Sequence, residues 1–353
     1  MNKGRPAVKT RDLFHATALS HPSDGLALIK VCDQLFQTAK MTRPTEAHQF
    51  IKDLRANGRL VRNYTQNIDG LEETAGLSTD LSKFNFASNC DDKTKGQLHS
   101  PKMTSGSLTE EVGCVQLHGS LLSWRCLRCG QRCRWDERRD AILDGKLPIC
   151  HACPRTSNRG RPLAPGHLRP DILLYDESDP RADSISEIIQ HDLSLDVDLL
   201  LIFGTSLAVH GIRELTKKFA RLVHKNNGKV LSINREGPVR SQWNGVIDYW
   251  VEWDCDAWVR DLKRRNNHSC SLSTTRRSGL PTAIIIDDNG DDDDGKVEES
   301  TVLCTSAKGK KRLASLNNGS AKRVKGHSGL VESSGRKTAS EVLIGTRDHP
   351  IDL

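Results

Sequence analysis

The stretch Val115–Cys153, VQLHGSLLSWRCLRCGQRCRWDERRDAILDGKLPICHAC, carries two Cys-x-x-Cys pairs, Cys126/Cys129 and Cys150/Cys153, with twenty residues between them. This is the spacing of a structural zinc site. Each pair turns two sulfurs toward one point, and the intervening length lets the two points meet. Four thiolates close a tetrahedral shell and leave no position for water, so a metal held there supports a fold and does no chemistry. Four cysteines in register by chance, or reduced in a core, are the plainer account, and the shared spacing of the pairs speaks against it. Chemistry is sought eight residues before Cys126, at His118.

Working outward, the flanking segments alternate between helical and extended patterns. Upstream, Leu26, Ile29, Leu35 and Phe36 recur at helical spacing within 13–40. Pro44 suits a first helical turn, Ala47, Phe50, Ile51 and Leu54 make one apolar face, and Gly58 stands where a C-terminal cap belongs. Leu60–Tyr64 reads as a short buried strand that sheds the polar loop Thr65–Gly70. Residues 78–112, rich in Ser, Thr, Lys, Asp and Gly, read as a flexible insertion.

Downstream, Asp171–Tyr175 (DILLY) reads as a strand and Ile185–Leu195 as a helix. Val197–Phe203 is a continuous apolar run that breaks into Gly204, Thr205 and Ser206, small residues that let a phosphate or ribose approach the backbone. A helix over Arg213–Lys225 comes next, then a strand over Val230–Ile233 ending in Asn234, Arg235 and Glu236. A last strand, Tyr249–Trp253, leads through Asp254, Cys255 and Asp256 into a helix. Strands alternating with helices, with polar residues at their carboxyl ends, define an α/β parallel sheet of the doubly wound, Rossmann-like class. Any one such loop is an ordinary strand-to-helix turn; four in one chain point to a shared ligand.

Composition bounds the rest. With 353 residues, 36% hydrophobic content and a mean hydropathy of −0.53, part of the length is expected to lie outside a packed core. A net charge of +7 permits an anionic partner such as chromatin without singling it out. Seven of the eleven cysteines lie outside the two pairs and show no disulfide framework, and no segment reads as a signal peptide or bilayer span. A reducing intracellular compartment is the expectation. Beyond 265 the periodicity dissolves, and 266–353 reads as a disordered tail. Within it, KGKKR (Lys308–Arg312) and KRVK (Lys322–Lys325) make a bipartite nuclear-localisation pattern. Ile284, Ile285 and Ile286, with acidic residues after them up to Asp294, resemble a SUMO-interacting strand.

TQNIDGLE (65–72), QLHG (116–119), the two Cys-x-x-Cys pairs, GTSL (204–207), INRE (233–236) and DCD (254–256) occur in the order found in sirtuins, the NAD-dependent protein lysine deacylases. The resemblance runs from about Leu13 to Leu262 and is nearest to fungal nuclear sirtuins that deacetylate histones. It implies a catalytic domain over 13–265, with a basic segment 1–12 before it and a small zinc-ribbon module at 120–165. The cleft beside that module would take NAD from one side and acetyl-lysine from the other. By resemblance, the acetyl oxygen attacks the ribose carbon that bears nicotinamide. His118 then acts as general base on a ribose hydroxyl, and the products are deacetylated lysine and O-acetyl-ADP-ribose. Gln66, Asn67, Ile68 and Asp69 match the loop at the nicotinamide ribose and carboxamide. Gly204, Thr205 and Ser206 match the ribose/phosphate loop, Asn234, Arg235 and Glu236 the adenosine-ribose loop, and Cys255 the adenine contact. The peptide would lie between Leu174–Glu177 and Val209–Gly211. Zinc on Cys126, Cys129, Cys150 and Cys153, a nuclear location, chromatin as partner and a role in transcriptional silencing complete the expectation.

The sequence departs from the family at its start. Sirtuins open with a strand, a GAGxS loop and a PDFR-like segment. Gly4-Arg5-Pro6 is no substitute, and RDLFHA (11–16) resembles the family's next segment, downstream of the missing part. The sheet is therefore expected to lack its first strand and glycine-rich loop, and this chain to bind NAD poorly and deacetylate weakly. An incomplete reading of the gene accounts for this better than divergence, since the downstream motifs are intact. Asp176 stands where the family has Gly, beside the peptide. Two other classes compete: a non-catalytic chromatin-binding module, and a zinc-ribbon nucleic-acid binder using Arg125, Arg128, Arg132 and Arg134 on phosphates.

Overall fold

The computed structural model describes residues 13–84, 111–156, 160–269, 283–287 and 322–325. The chain divides into two compact units, one built on residues up to Gly58 and Arg62–Asp192, the other on Arg59–Val61 and the described residues from Leu193 onward. Residues 1–12, 85–110 and 288–321, which carry the basic start, most of the insertion, the acidic run and the first basic cluster of the tail, lie outside the described residues.

In the first unit the helical pattern of Leu28, Ile29, Cys32, Leu35 and Phe36 builds α1 (Pro22–Met41), and these residues form its buried face. The second helix, α2 (Glu46–Ala56), begins two residues after Pro44; the Thr45 amide donates to His48 Nδ1 at 3.2 Å and so caps its first turn. Gly58, at φ +67°, ends it. Next come β1 (Leu60–Thr65), the short α3 (Leu71–Ala75) and β2 (Cys114–Gln116), which pairs in parallel with β1.

A separate antiparallel sheet is built from β3 (Gly119–Cys126), β4 (Arg132–Arg134) and, after α4 (Arg139–Leu143), β5 (Leu168–Ile172). The strand expected at Asp171–Tyr175 therefore lies three residues earlier and belongs to this small sheet, not to the parallel one. Its apolar run reads alike in either setting, and the backbone of β3 is the partner it meets, Gly119 opposite Ile172 and Cys126 opposite Leu168. Two tryptophans tie this module to α1. Trp124 and Trp135 stack at 3.9 Å, Trp124 Nε1 donates to the Trp135 carbonyl, and Trp135 Nε1 donates to Asp33 of α1 at 3.0 Å. The unit closes with α5 (Ala182–Asp192).

The second unit is a parallel sheet with helical crossovers. Its elements are β6 (Leu199–Phe203), α6 (His210–Lys225), β7 (Lys229–Asn234), α7 (Arg240–Trp243), β8 (Tyr249–Glu252), α8 (Cys255–Ser269), β9 (Ala283–Asp287) and β10 (Lys322–Lys325). The strand order is β10-β8-β7-β6-β9, and the Ala283 amide donates at 2.8 Å to the Arg59 carbonyl, which places the start of β1 on the far side of β9. Ile212, Leu215, Phe219 and Val223 of α6 are buried at i, i+3, i+7 and i+11, a helix face laid on a sheet.

β9 corrects the sequence reading in two respects. Ile284, Ile285 and Ile286, expected in a disordered tail and as a SUMO-binding strand, are 0% exposed and pair in register with Leu200, Leu201 and Ile202. A strand whose two edges are taken within its own sheet offers none to a partner, so the SUMO reading does not stand. A run of β-branched residues marks a two-face-buried parallel strand and a strand lent to a partner equally well, which is why sequence alone did not separate them. The same strand occupies the place beside β6 that was expected to be missing.

Candidate functional site

His118 comes directly after β2, where the Leu117 amide donates to the Thr65 carbonyl and so lines the end of β2 along the loop leaving β1. His118 Nδ1 lies 3.1 Å from the Gln66 carbonyl oxygen. A carbonyl only accepts, so Nδ1 carries the proton and Nε2 keeps its lone pair. Burial lowers the His118 pKa below its ordinary value, and the charge of Arg181 adds to this, while the Gln66 carbonyl and Asp179 oppose it. The imidazole is thus neutral at pH 7. Arg181 itself is clamped by Asp179 at 2.8 Å. Gly119 is at φ +82°, and a Cβ there would stand 2.2 Å from the Asp171 carbonyl oxygen; only glycine lets β5 close against the residue after the histidine.

The loop after β1 is held by its own side chains. The Asn67 amide donates to Thr65 Oγ1 at 3.2 Å, the Leu71 amide to Asp69 Oδ1 at 3.0 Å, and the Leu121 amide to the Ile68 carbonyl at 2.8 Å. Gln66 is buried; Asn67, Ile68 and Asp69 are half-buried. Burial raises the Asp69 pKa against the opposing Leu71 amide and His48.

The four expected cysteines converge. Cys126–Cys153, Cys129–Cys150 and Cys129–Cys153 sulfurs are 3.6, 3.7 and 3.6 Å apart, and all four lie within 4.8 Å of one another. A tetrahedral ion with metal–sulfur bonds of about 2.3 Å has edges of about 3.8 Å. The donor set therefore fits a tetrahedral thiolate-bound metal. Amides of Arg128 and Gly166 donate to Cys126 and Cys153 sulfurs at 3.4 and 3.3 Å, the partners a thiolate needs. Burial opposes ionisation of Cys126, but the Cys129 and Arg128 amides and the neighbouring thiols bring its pKa down to about 7. A Cβ at Gly166 would lie 2.6 Å from the Cys126 sulfur. Sequence reasoning missed Gly166, a lone glycine in a Pro/Arg-rich passage without a local signal.

In the second unit the turn after β6 and the end of β7 lock together. The Gly204 amide donates to the Ile233 carbonyl at 3.0 Å, the Leu207 amide to Thr205 Oγ1 at 3.1 Å, and Asn234 Nδ2 to the Thr205 carbonyl at 3.3 Å. Gly204 and Leu207 are both left-handed, at φ +63° and +54°, which leaves Ser206 exposed on a tight turn. Cys255, at the first turn of α8, donates its thiol to the Ile233 carbonyl at 3.5 Å. Gly204, Thr205, Asn234 and Cys255 therefore gather around the carboxyl ends of β6 and β7. Arg235 and Glu236 point outward, Arg235 to Asp254 at 3.1 Å.

Of the expected peptide-binding segments, Leu174–Glu177 belongs to the first unit and Val209–Gly211 to the second. The Tyr175 amide donates to the Phe14 carbonyl and its own carbonyl accepts from Ala16. Asp176 is left-handed at φ +61° and meets His15 at 3.2 Å. Glu177 is pinned by Arg169 at 2.7 Å and Arg125 at 3.1 Å, and Arg125 and Arg132 both pair with Asp171, so these two arginines of the zinc-type module face carboxylates of their own unit.

A parallel α/β sheet with small and polar residues at its strand ends, in one chain with a module of four converging cysteines, defines the fold class as Rossmann-like with a cysteine-rich module. The Sir2 family model matches residues 14–89 and 102–211, and the chain belongs to that family. It is 35% identical over 247 residues to the NAD-dependent histone deacetylase HST3 of Saccharomyces cerevisiae, an alignment that covers 66% of this chain and 51% of that protein. It is 33% identical over 270 residues to HST3 of Candida albicans, covering 73% and 52% respectively. The chain thus spans about half the length of these curated relatives. Among solved structures, Sir2Tm bound to a propionylated peptide superposes with a TM-score of 0.51 at 19% identity, covering 74% of this chain and 86% of that one, which establishes the sirtuin fold.

Proposed function

We propose that this chain is an NAD-dependent protein lysine deacetylase acting on histones in the nucleus. The observation that carries the reading is the His118–Gln66 contact: a neutral imidazole, its tautomer set by a backbone carbonyl, presents Nε2 as a proton acceptor. NAD, as co-substrate, supplies the electrophilic ribose carbon and the hydroxyl to be deprotonated. Gln66, Asn67, Ile68 and Asp69 bind the nicotinamide ribose and carboxamide. Gly204, Thr205 and Ser206 bind ribose and phosphate, Asn234, Arg235 and Glu236 the adenosine ribose, and Cys255 the adenine. Support for these roles comes from the positions of the motifs on strand ends and from the relatives named NAD-dependent histone deacetylases.

One structural zinc ion on Cys126, Cys129, Cys150 and Cys153 holds the small module, and chromatin is the partner that presents acetyl-lysine. The test is nicotinamide release by the purified chain with an acetylated histone peptide. Release that depends on both peptide and NAD, and is lost in His118→Ala, is the expected result. Binding of the peptide with no NAD-dependent loss of its acetyl group would reduce the chain to a chromatin-binding module.

A further inference from the structure

The helix α6 of the second unit has two opposed faces. Ile212, Leu215, Phe219 and Val223 are at most 2% exposed and make the face laid on the sheet. At 3.6 residues per turn, the opposite face falls to Arg213, Glu214, Lys217, Lys218, Arg221 and Lys225. Arg213, Glu214 and Lys217 are half-buried, and Lys218, Arg221 and Lys225 are exposed. Glu214, the one acid of the helix, pairs with Lys217 at 3.1 Å. Among the described residues Arg213, Lys218, Arg221 and Lys225 make no ion pair. His224, on the same face, is held by Asp248 at 2.9 Å.

The arrangement is a stripe. Arg213, Lys217, Arg221 and Lys225 recur at every fourth position, so cations follow one another about every 6 Å over about 18 Å of helix. One strand of a DNA duplex advances about 3.4 Å per phosphate, so about five phosphates lie along that length. The face offers no aromatic ring on which an unpaired base could stack, which sets it apart from a single-strand groove. Nor does it turn large apolar side chains outward, as a helix seated on a bilayer does; Leu215 and Phe219 are committed to the sheet.

We infer that the solvent face of α6 is a docking surface for duplex DNA, held through its phosphates without regard to sequence. The inference goes beyond the deacetylase reading and does not depend on it. Its cations belong neither to the four-cysteine module nor to the loops proposed for NAD. Contacts of this kind fix position on the duplex and carry no base information.

The test is fluorescence anisotropy of a labelled, mixed-sequence duplex of about 30 base pairs, titrated with the full chain at about 50–200 mM salt. Wild type is compared with the triple variant Lys218→Gln, Arg221→Gln, Lys225→Gln. A second triple variant, Lys30→Gln, Lys52→Gln, Lys146→Gln, removes the same charge from exposed positions of the first unit. Each lost phosphate contact flattens the plot of log K against log salt by about 0.9. The α6 variant is expected to bind at least about tenfold more weakly with a slope flatter by about 2–3, and the first-unit variant to stay within about twofold of wild type. Circular dichroism reports folding. Should the α6 triple variant unfold, Arg221→Gln and Lys225→Gln taken singly each flatten the slope by about 1. Unchanged binding in the α6 variants overturns the inference. An equal loss in both triple variants also overturns it, because net charge and not this face would then hold the DNA. Tighter retention of the wild type by phosphatidylserine vesicles than by the duplex, abolished by the α6 substitutions, overturns duplex DNA as the partner and assigns the face to a membrane surface.

Discussion

The Nδ1 of His118 lies 3.1 Å from the carbonyl oxygen of Gln66, so the loop after β1 sets the tautomer of the histidine proposed as the base. The loop and the histidine are 52 residues apart in sequence and are brought side by side by the parallel pairing of β1 with β2. A general base needs its acceptor nitrogen free and its pKa below the working pH. Nδ1–H donation secures the first, and burial, which lowers the pKa, secures the second.

The lowered pKa of the half-buried His118 gives the proposed reaction a pH profile of definite sign. His118 is active when deprotonated, and its pKa is below 6.5, the ordinary value. The logarithm of kcat/KM is therefore expected to fall on the acid side, with the midpoint of that limb below pH 6.5. His118→Ala lowers kcat by about 10²–10⁴-fold. An acid limb centred at or above 6.5 in the nicotinamide-release assay would contradict the burial of this group.

Stability of the first unit depends on Asp192. Its oxygens accept from Arg62 Nε and Nη2 at 3.0 and 2.9 Å and from the Tyr64 hydroxyl at 2.7 Å, all within a fully buried cluster, and Arg62 also donates to the Val112 carbonyl. Burial alone would raise the Asp192 pKa, but Arg62 and the hydrogen bonds from His191 and Tyr64 hold it below the usual 3.8. A depressed carboxyl contributes stability above its unfolded pKa, lost as pH falls through the folded one, so this contribution is complete at neutrality and disappears below pH 3.8. Asp192→Ala leaves Arg62 buried without its counter-charge and costs about 3–5 kcal/mol. Urea denaturation at pH 7 measures it, and a loss under about 1 kcal/mol would show that water enters the cluster.

Much of this architecture was legible in the sequence because the signals were local. The runs at Leu60–Tyr64 and Val197–Phe203 became β1 and β6, and the two Cys-x-x-Cys pairs converged as their spacing implied. What escaped depended on partners distant in sequence. Asp171 joined β3 because its partner there was Gly119–Cys126, not a strand of the parallel sheet. Ile284–Ile286 lie more than 80 residues beyond β6, their partner, and nothing in their composition points to it. Trp135 looks like any aromatic until Trp124 and Asp33 close around it.

Cysteine reactivity separates the buried thiols from an ordinary one. Burial pushes Cys32 up to about 12 despite the charge of Arg169, and burial with three carboxylates does the same for Cys255. At pH 8 a thiol of pKa 12 is ionised in about one molecule in 10⁴, and alkylation proceeds through the thiolate. Both residues should label with iodoacetamide more than about a hundredfold more slowly than glutathione in the native protein, and promptly in guanidinium. Peptide mapping by mass spectrometry reads the two rates. Fast native labelling of Cys255 would place it in solvent instead of under the turn at Gly204.

Metal content tests the four-cysteine module most directly. Sulfur separations of 3.6–3.7 Å match the edges of a tetrahedral thiolate site, and amides at Arg128 and Gly166 already point at two of the sulfurs. Purified protein should carry one zinc per chain by elemental analysis, and Cys153→Ser should carry none. Because the ligands bind as thiolates, metal uptake releases protons, and affinity rises with pH. Removing the metal with a chelator leaves thiolates packed against each other with no cation between them, so the module loosens. Trp124 and Trp135, stacked at 3.9 Å within it, report this as a change in emission, and Tm falls and recovers when zinc is returned. The three short strands and their shared core around Trp124 depend on that closure, whereas β6–β8 of the second unit do not contain a ligand. The loss should therefore be confined to exchange protection in β3–β5, with β6–β8 unchanged. An unaltered Tm and unaltered emission after complete removal of metal would mean that the tryptophan pair, not the cysteines, holds the module together.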